Sequence, residues 1–90
     1  MDFEWDETKR LKVLAQRGVD FIDLVVLFDG RPSLIYVSDG YAEVRNVTIA
    51  ELTGKLFAVI WTMRGEKIRI ITARRARHEE ERQYRQLFYG

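Results

Sequence analysis

Six basic residues lie between positions 64 and 77, where the only acid is Glu66. Such a concentration of positive charge can hold a phosphate chain, because binding releases the counterions that phosphates otherwise keep. It can equally be an ordinary solvated face, and charge alone does not separate the two interpretations. The net charge is only +1, because most acids lie elsewhere, chiefly at 2–7, 20–29 and 79–81. The six residues are Arg64, Lys67, Arg69, Arg74, Arg75 and Arg77.

Two arginines, Arg45 and Arg69, lie within otherwise apolar runs. In a regular strand, Arg69 would share its face with Lys67 and Ile71. The planar guanidinium group suits phosphate oxygens, whereas pairing with Glu43 or another carboxylate would be a structural role. Both roles can hold together, because a carboxylate can orient an arginine that also contacts a substrate.

Aromatic residues that could stack on unpaired bases are interleaved with this charge. Trp61 lies in an apolar run and is expected in the core, whereas Tyr84 follows Glu80 by one helical turn and faces either the sheet or the basic rim. The full set is Tyr41, Trp61, Tyr84 and Tyr89.

Other kinds of catalytic site are not indicated. The one histidine, His78, lies in a charged helical segment, which favours a surface residue over a base. No His and carboxylate cluster has the spacing of metal ligands, and no glycine-rich loop precedes a helix. There is no cysteine, which excludes thiolate ligands and a cysteine nucleophile. We therefore expect neither a metal nor a cofactor.

Hydrophobic periodicity predicts the elements that must position these residues. Asp6 should cap a helix over about 7–17, with Leu11, Leu14 and Ala15 as its apolar stripe and Gly18 as its stop. A second helix should start after residue 20. Runs at 33–38, 43–52, 56–63 and 68–72, joined by short turns, predict four antiparallel strands. The segment 76–88 predicts a helix that lies on the sheet through Ala76, Tyr84, Leu87 and Phe88, with Glu80 at its edge.

The order ααββββα predicts an α+β fold in a single domain over 1–90. No apolar run approaches the roughly 20 residues of a transmembrane helix, and the N-terminus does not have the pattern of a signal peptide. We therefore expect a cytoplasmic protein without membrane contact.

Five segments, in order and spacing, closely resemble the BrnT toxins: FEWDETK, RGVDF, YAEVR, WTMRGEKIRIITARRA and EEERQYR. The segment KIRIITARRA is the most specific of these. The resemblance implies a RelE-like fold and a ribonuclease that belongs to a type II toxin–antitoxin module and inhibits translation. It also implies a BrnA-like antitoxin, which neutralises the toxin and binds operator DNA, in a dimer or heterotetramer.

The resemblance also implies the site residues, by motif position. Together with the basic run, it leads us to assign catalysis to Arg64, Arg74, Glu43, Arg45 and Tyr84. RNA binding is assigned to Lys9, Lys67, Arg69, Arg75, Arg77 and Glu80. In this hypothesis the 2′-hydroxyl of the RNA attacks the adjacent phosphate, so that no metal is needed and arginines stabilise the developing charge. Glu43 would be the base or would orient Arg45, and Tyr84 would stack on a base or relay a proton.

This chain departs from the family along the first helix. Where the family often has Asn and His, it has Val13 and Arg17, on the same helical face as Lys9. If that face touches substrate, the alternative is a catalytically weakened relative that binds an antitoxin within an autorepressing DNA-bound complex. If it only packs or caps, little changes. A plain nucleic-acid-binding domain is a third interpretation.

Overall fold

A five-stranded mixed sheet with helices on both faces forms the fold, as seen in a computed structural model that describes residues 1–39 and 43–89. The strands lie side by side in the order β1-β5-β4-β3-β2. None of the described helices is long and apolar enough to cross a bilayer. Along the chain the elements are β1 (Asp2–Trp5), α1 (Glu7–Arg17), α2 (Phe21–Leu24), a 3₁₀ helix (Val25–Phe28), β2 (Ser33–Asp39), β3 (Val44–Leu52), β4 (Lys55–Arg64), β5 (Lys67–Arg75) and α3 (His78–Phe88).

The α+β class, the four antiparallel strands and the C-terminal helix are confirmed, but the order ααββββα is wrong in two respects. A fifth strand, β1, pairs in parallel with β5 at the sheet edge. Because β1 has only four residues, its alternation of polar and apolar side chains is too short to predict a strand. The second helix is a single α-helical turn followed by a 3₁₀ turn, where the β-branched pair Val25 and Val26 disfavours a longer α-helix.

The first helix has the predicted ends but a different buried face. The Asp6 carboxylate accepts a hydrogen bond from the Lys9 backbone N–H, and Gly18 ends the helix with a left-handed φ of 68°. The predicted stripe is wrong, because Leu11 and Leu14 are 51% and 37% exposed, whereas Val13 is 2% exposed. The reason is that α1 meets β5 through Val13, and the segment 19–28 supplies most of the apolar side chains beneath this helix layer.

Two cores lie on the two faces of the sheet. The larger one packs α1, α2 and the 3₁₀ helix against the sheet. The smaller one packs α3 over β2 and β3. The buried residues of the larger core are Val13, Val19, Phe21, Leu24, Leu27, Ala50, Val59, Ile70 and Ala73, and those of the smaller core are Val47, Ile49, Leu56, Ala58 and Tyr84.

A bulge in β5 changes which side chains share a face. Trp61 is opposite Ile70 and Ile60 is opposite Thr72, so Ile71 has no partner on β4. An extra residue of this kind shifts the alternation by one position. Ile70 and Ala73 therefore face the same core although they are three positions apart, an offset that would place them on opposite faces of a regular strand.

We predict that Val13→Ala lowers the free energy of unfolding by about 1–3 kcal/mol, because it opens a cavity in the larger core. Leu14→Ala is the control, one position along the same helix, and should change it by no more than about 0.5 kcal/mol because Leu14 is partly exposed. Urea unfolding followed by circular dichroism measures both. Equal losses in the two variants would contradict the buried face described above.

Candidate functional site

One half of the sheet face that carries α3 is left uncovered by that helix, and basic side chains line it. Strand alternation places Arg45 there, two residues before Val47 of the smaller core. It also places Thr62 and Arg69 there, because their neighbours Trp61 and Ile70 face the larger core. We call this surface the open half; it consists of Glu4, Arg45, Thr62, Arg64, Lys67 and Arg69, and is bordered by Tyr36 and Arg74.

The bulge at Ile71 brings Arg74 to the same face as Arg69. Five positions separate these arginines, so a regular strand would point them to opposite faces. In the structure, Arg74 is opposite Ala58 of the smaller core and Arg69 is opposite Thr62. Ile71 is the unpaired residue of this bulge, and its sharing of a face with Arg69 stays a prediction.

Arg69 is paired with a carboxylate, which is that of Glu4 and not that of Glu43. Its Nη1 donates to Glu4 Oε2 at 2.7 Å, and Arg64 Nη1 lies 3.7 Å from the same oxygen. Glu4 comes from β1, the strand that was not predicted, where it lies opposite Arg69. The Arg64 side chain is 64% exposed and is free to reach a ligand.

Glu80 holds Arg74 through a buried carboxylate. Arg74 donates from Nη1 to Oε1 at 2.7 Å and from Nη2 to Oε2 at 3.0 Å, a fork geometry that fixes the guanidinium plane. The backbone N–H of Arg77 donates to Oε1 at 2.8 Å, and the Tyr36 hydroxyl donates to Oε2. Glu80 is only 6% exposed, so it lies beneath α3 and not at the helix edge where the sequence placed it.

These hydrogen bonds set the proton affinities of the group. Burial alone would raise the pKa of Glu80, but the hydrogen bonds from Arg74, Arg77 and Tyr36 outweigh it and lower the pKa from 4.5 to about 2. Burial, and then the hydrogen bond to Glu80, raise the pKa of the Tyr36 hydroxyl. Glu80 is therefore an anion and Tyr36 a neutral phenol at physiological pH.

Arg45 lies in the open half without a carboxylate partner among the described residues. Its Nε is buried and has no hydrogen-bond partner, and no ion pair to it is found among residues 1–39 and 43–89. Glu43 is exposed two positions earlier, and the two described side chains form no hydrogen bond with each other. No observed contact therefore supports the expected role of Glu43 in orienting Arg45.

Several other predicted residues lie away from the open half. Lys9 is exposed on α1, on the other side of the sheet. Arg75 faces that side too, with its guanidinium 5.4 Å from the centre of the Phe57 ring. Arg77 occupies the N-cap of α3. Tyr84 is 3% exposed, and its hydroxyl donates to the Pro32 carbonyl at 3.5 Å.

The remaining aromatic predictions have different outcomes. Trp61 is half-buried as expected, because it packs against Phe28 and donates from Nε1 to Thr48 Oγ1 at 2.8 Å. Tyr89 is exposed, and its hydroxyl donates to Glu51 at 2.8 Å. Tyr41 lies outside the described residues.

Tyr36 is a site residue that sequence reasoning missed. It lines a cleft of about 430 Å³ together with Arg77, Glu79, Glu80 and Gln83. The available signal was its place in β2, where Leu34, Tyr36 and Ser38 alternate on the α3 face, opposite residues 49, 47 and 45 of β3. The sequence alone does not show this placement, because it becomes visible only when the pairing of β2 with β3 is known.

The residues at the two departures, positions 13 and 17, both make contacts within the fold. Val13 is a core residue, and Arg17 Nη1 donates to the Ala73 carbonyl at 2.8 Å and lies 3.4 Å from Thr72 Oγ1. Arg17 thus ties α1 to β5 next to Arg74 while remaining outside the open half. Within the fold, Val13 packs and Arg17 binds a strand carbonyl, whereas Lys9 on the same helical face is exposed.

The arrangement suits an extended phosphate-containing ligand. Arginines at positions 45, 64, 69 and 74 line one surface, and two of them are oriented by carboxylates. Oriented guanidinium groups can stabilise charge that develops on a phosphate during its transfer. Within the described ranges, no group of three or more His, Asp or Glu side chains is arranged to bind a metal ion.

We predict that stability depends on pH through Glu80. Because its pKa is lower in the folded state, its roughly 3 kcal/mol of stabilisation should be complete above pH 4.5 and disappear as the pH falls toward 2. Glu80→Gln should be less stable at pH 7 and should lose less stability on acidification. Glu81→Gln is the control, on the next residue of α3. Thermal melts between pH 7 and pH 2.5 measure this, and parallel curves for wild type and Glu80→Gln would refute it.

Comparison with known proteins identifies the family of this chain. A family model described as "Ribonuclease toxin, BrnT, of type II toxin-antitoxin system" matches residues 5–80. No match was found among curated proteins. The matched range includes Arg45, Arg69, Arg74 and Glu80 and covers most of the chain. The chain therefore belongs to the BrnT family of ribonuclease toxins of type II toxin–antitoxin systems.

Proposed function

We propose that the chain is an endoribonuclease that cleaves single-stranded RNA without a metal ion. The observation that carries this proposal is the placement of Arg45, Arg69 and Arg74 on one open surface, made possible by the bulge in β5. The nucleophile is the RNA's own 2′-hydroxyl, which attacks the adjacent phosphorus while the bond to the 5′ oxygen breaks. The protein has to hold this geometry and stabilise the added negative charge.

The arginines divide this work. Arg74 is fixed in direction by Glu80, and Arg69 by Glu4, so both can act as preorganised phosphate ligands. Arg45 has no ion pair to a described residue, so its guanidinium charge is available to the oxygen that gains charge. Arg64 and Lys67 extend the positive surface along the RNA chain. Tyr84, which is buried, holds α3 against the sheet.

Proton transfer is the weak part of this site. The pKa of Glu80 is lowered and that of Tyr36 is raised, so both pKa values lie far from pH 7. Neither group can therefore exchange protons efficiently at pH 7. Glu43 remains a candidate base, because it is exposed and lies two residues before Arg45. A positioned acid or base typically contributes about 10²–10⁴-fold, so we expect a modest cleavage rate.

Family membership supports the cellular part of the proposal. A type II system implies a protein antitoxin as the partner. We propose that this chain is a single RelE-like domain over 1–90 that acts in the cytoplasm and inhibits translation by cutting RNA. A BrnA-like antitoxin neutralises it in a dimer or heterotetramer, and operator DNA is contacted only through that antitoxin.

A second candidate is a weakened toxin that serves as an antitoxin-binding module. The observation that favours it is that Arg69 and Arg74 are already paired with carboxylates, which reduces the positive charge offered to RNA. Val13 and Arg17 both make contacts within the fold, and their presence in place of the family's usual Asn and His is compatible with either candidate.

We predict that Arg45→Ala reduces cleavage of a defined single-stranded RNA by about 10²–10³-fold, because it removes a donor that acts on the developing charge. The melting temperature should change little, since Arg45 has no described ion pair. Lys12→Ala, which removes one positive charge from exposed α1, is the matched control and should cleave normally. EDTA should leave wild-type cleavage intact; cleavage that EDTA abolishes would refute the metal-free mechanism.

We also predict that Arg45→Ala separates toxicity from antitoxin binding. Expressed alone, the variant should no longer arrest growth, whereas it should still co-purify with the antitoxin. Arg74 is the poorer choice for this test, because its loss would leave the buried Glu80 carboxylate without its main partner. Growth arrest by a folded Arg45→Ala protein would show that the toxic activity does not depend on this arginine.

A further inference from the structure

We propose that the cleft beside Arg74 binds one unpaired nucleobase of the RNA, with the ring of Tyr36 as its stacking surface. This inference rests on the proposed ribonuclease function and adds to it a second binding site, for a base next to the held phosphate. It gives Tyr36 a direct role in substrate binding.

The shape of the cleft and the exposure of the ring carry the first step. The cleft encloses about 430 Å³, within the range of about 300–1,000 Å³ that is typical of sites for small ligands. Tyr36 is 36% exposed even though its hydroxyl is fixed by Glu80. A ring that is anchored at its polar end and still accessible loses little freedom when a base stacks on it.

The position of the cleft relative to Arg74 carries the second step. Arg74 and the Tyr36 hydroxyl are bound to the same carboxylate, that of Glu80. A phosphate at Arg74 and a base at Tyr36 would therefore be separated by the width of one side chain, a separation that neighbouring parts of one RNA strand can span. Unpaired bases are commonly recognised by stacking of this kind.

The rim of the cleft is polar and can contact the edge of a base. Arg77 and Glu79 offer donors and acceptors, and Gln83 Nε2 donates to Glu79 Oε1 at 3.3 Å. The Glu79 carboxylate also pairs with Arg82, which holds it in place at the rim. A hydrophobic antitoxin side chain would use the ring but would leave this polar rim unmatched, so we favour a base as the occupant.

The test measures binding separately from cleavage. The probe is a short single-stranded RNA with deoxyribose at the cleavage position and a fluorescent purine analogue at the adjacent base. Wild type should quench the analogue on binding. Tyr36→Phe should keep the quenching and bind within about 3-fold of wild type, because the ring remains. Tyr36→Leu should bind about 5- to 150-fold more weakly and lose the quenching, since stacking is worth about 1–3 kcal/mol per base. Tyr89→Leu is the matched control on an exposed tyrosine and should behave as wild type.

An abasic version of the probe completes a double-mutant cycle. Removing the base should weaken binding to wild type by the same factor by which Tyr36→Leu weakens binding of the intact probe. Tyr36→Leu should bind the abasic probe no more weakly than either single change alone. Circular dichroism establishes whether each variant is folded. If Tyr36→Leu does not fold, binding of the abasic probe by wild type and by Tyr36→Phe tests the proposal instead. Equal binding of both probes by wild type would overturn the base site. So would a Tyr36→Leu variant that binds RNA normally but has lost the antitoxin, which would assign the cleft to the protein partner.

The outcomes distinguish this inference from the function on which it rests. Wild type that cleaves RNA but binds both probes equally would retain the ribonuclease and lose the base site. Wild type that distinguishes the probes but never cleaves would retain the base site and lose the ribonuclease. Wild type that binds neither probe would overturn both.

Discussion

A carboxylate that is removed from water must be paired, and the pairing of Glu80 determines how the sheet, the last helix and the site fit together. Its partners come from three elements: Tyr36 from β2, Arg74 from β5 and the Arg77 backbone at the start of α3. The same contacts attach α3 to one half of its sheet face and fix Arg74 at the border of the other half. The packing of α3 and the orientation of Arg74 thus depend on one ionised group.

The charge of the open half is concentrated but partly neutralised. Glu4 and Glu80 orient two arginines and lower the local positive potential, while Arg45 has no ion pair to a described residue. This balance fits a chain whose net charge is only +1. RNA affinity that comes from a few phosphate contacts should be moderate and should fall with salt less steeply than that of a duplex-binding protein.

Local patterns in the sequence specified the features that depend on neighbouring residues. The Asp6 cap, the left-handed Gly18 and the four antiparallel strands all follow from spacing and turn residues. The features that were missed depend on distant pairing. The burial of Glu80 requires partners 6 and 44 positions away, and the bulge at Ile71 becomes visible only against β4. The role of Tyr36 could not be read for the same reason.

The short strand β1 has a consequence for how the protein is made. Glu4 of β1 pairs with Arg69, which lies 65 positions later in the chain. Tyr36 of β2 pairs with Glu80, which lies 44 positions later. Contacts between residues so far apart in the sequence cannot form until the later partner has left the ribosome. The ribosome extends the chain by roughly 5–20 residues per second. Arg69 and Arg74 therefore gain the carboxylates that orient them only after β5 and the start of α3 have both been synthesised.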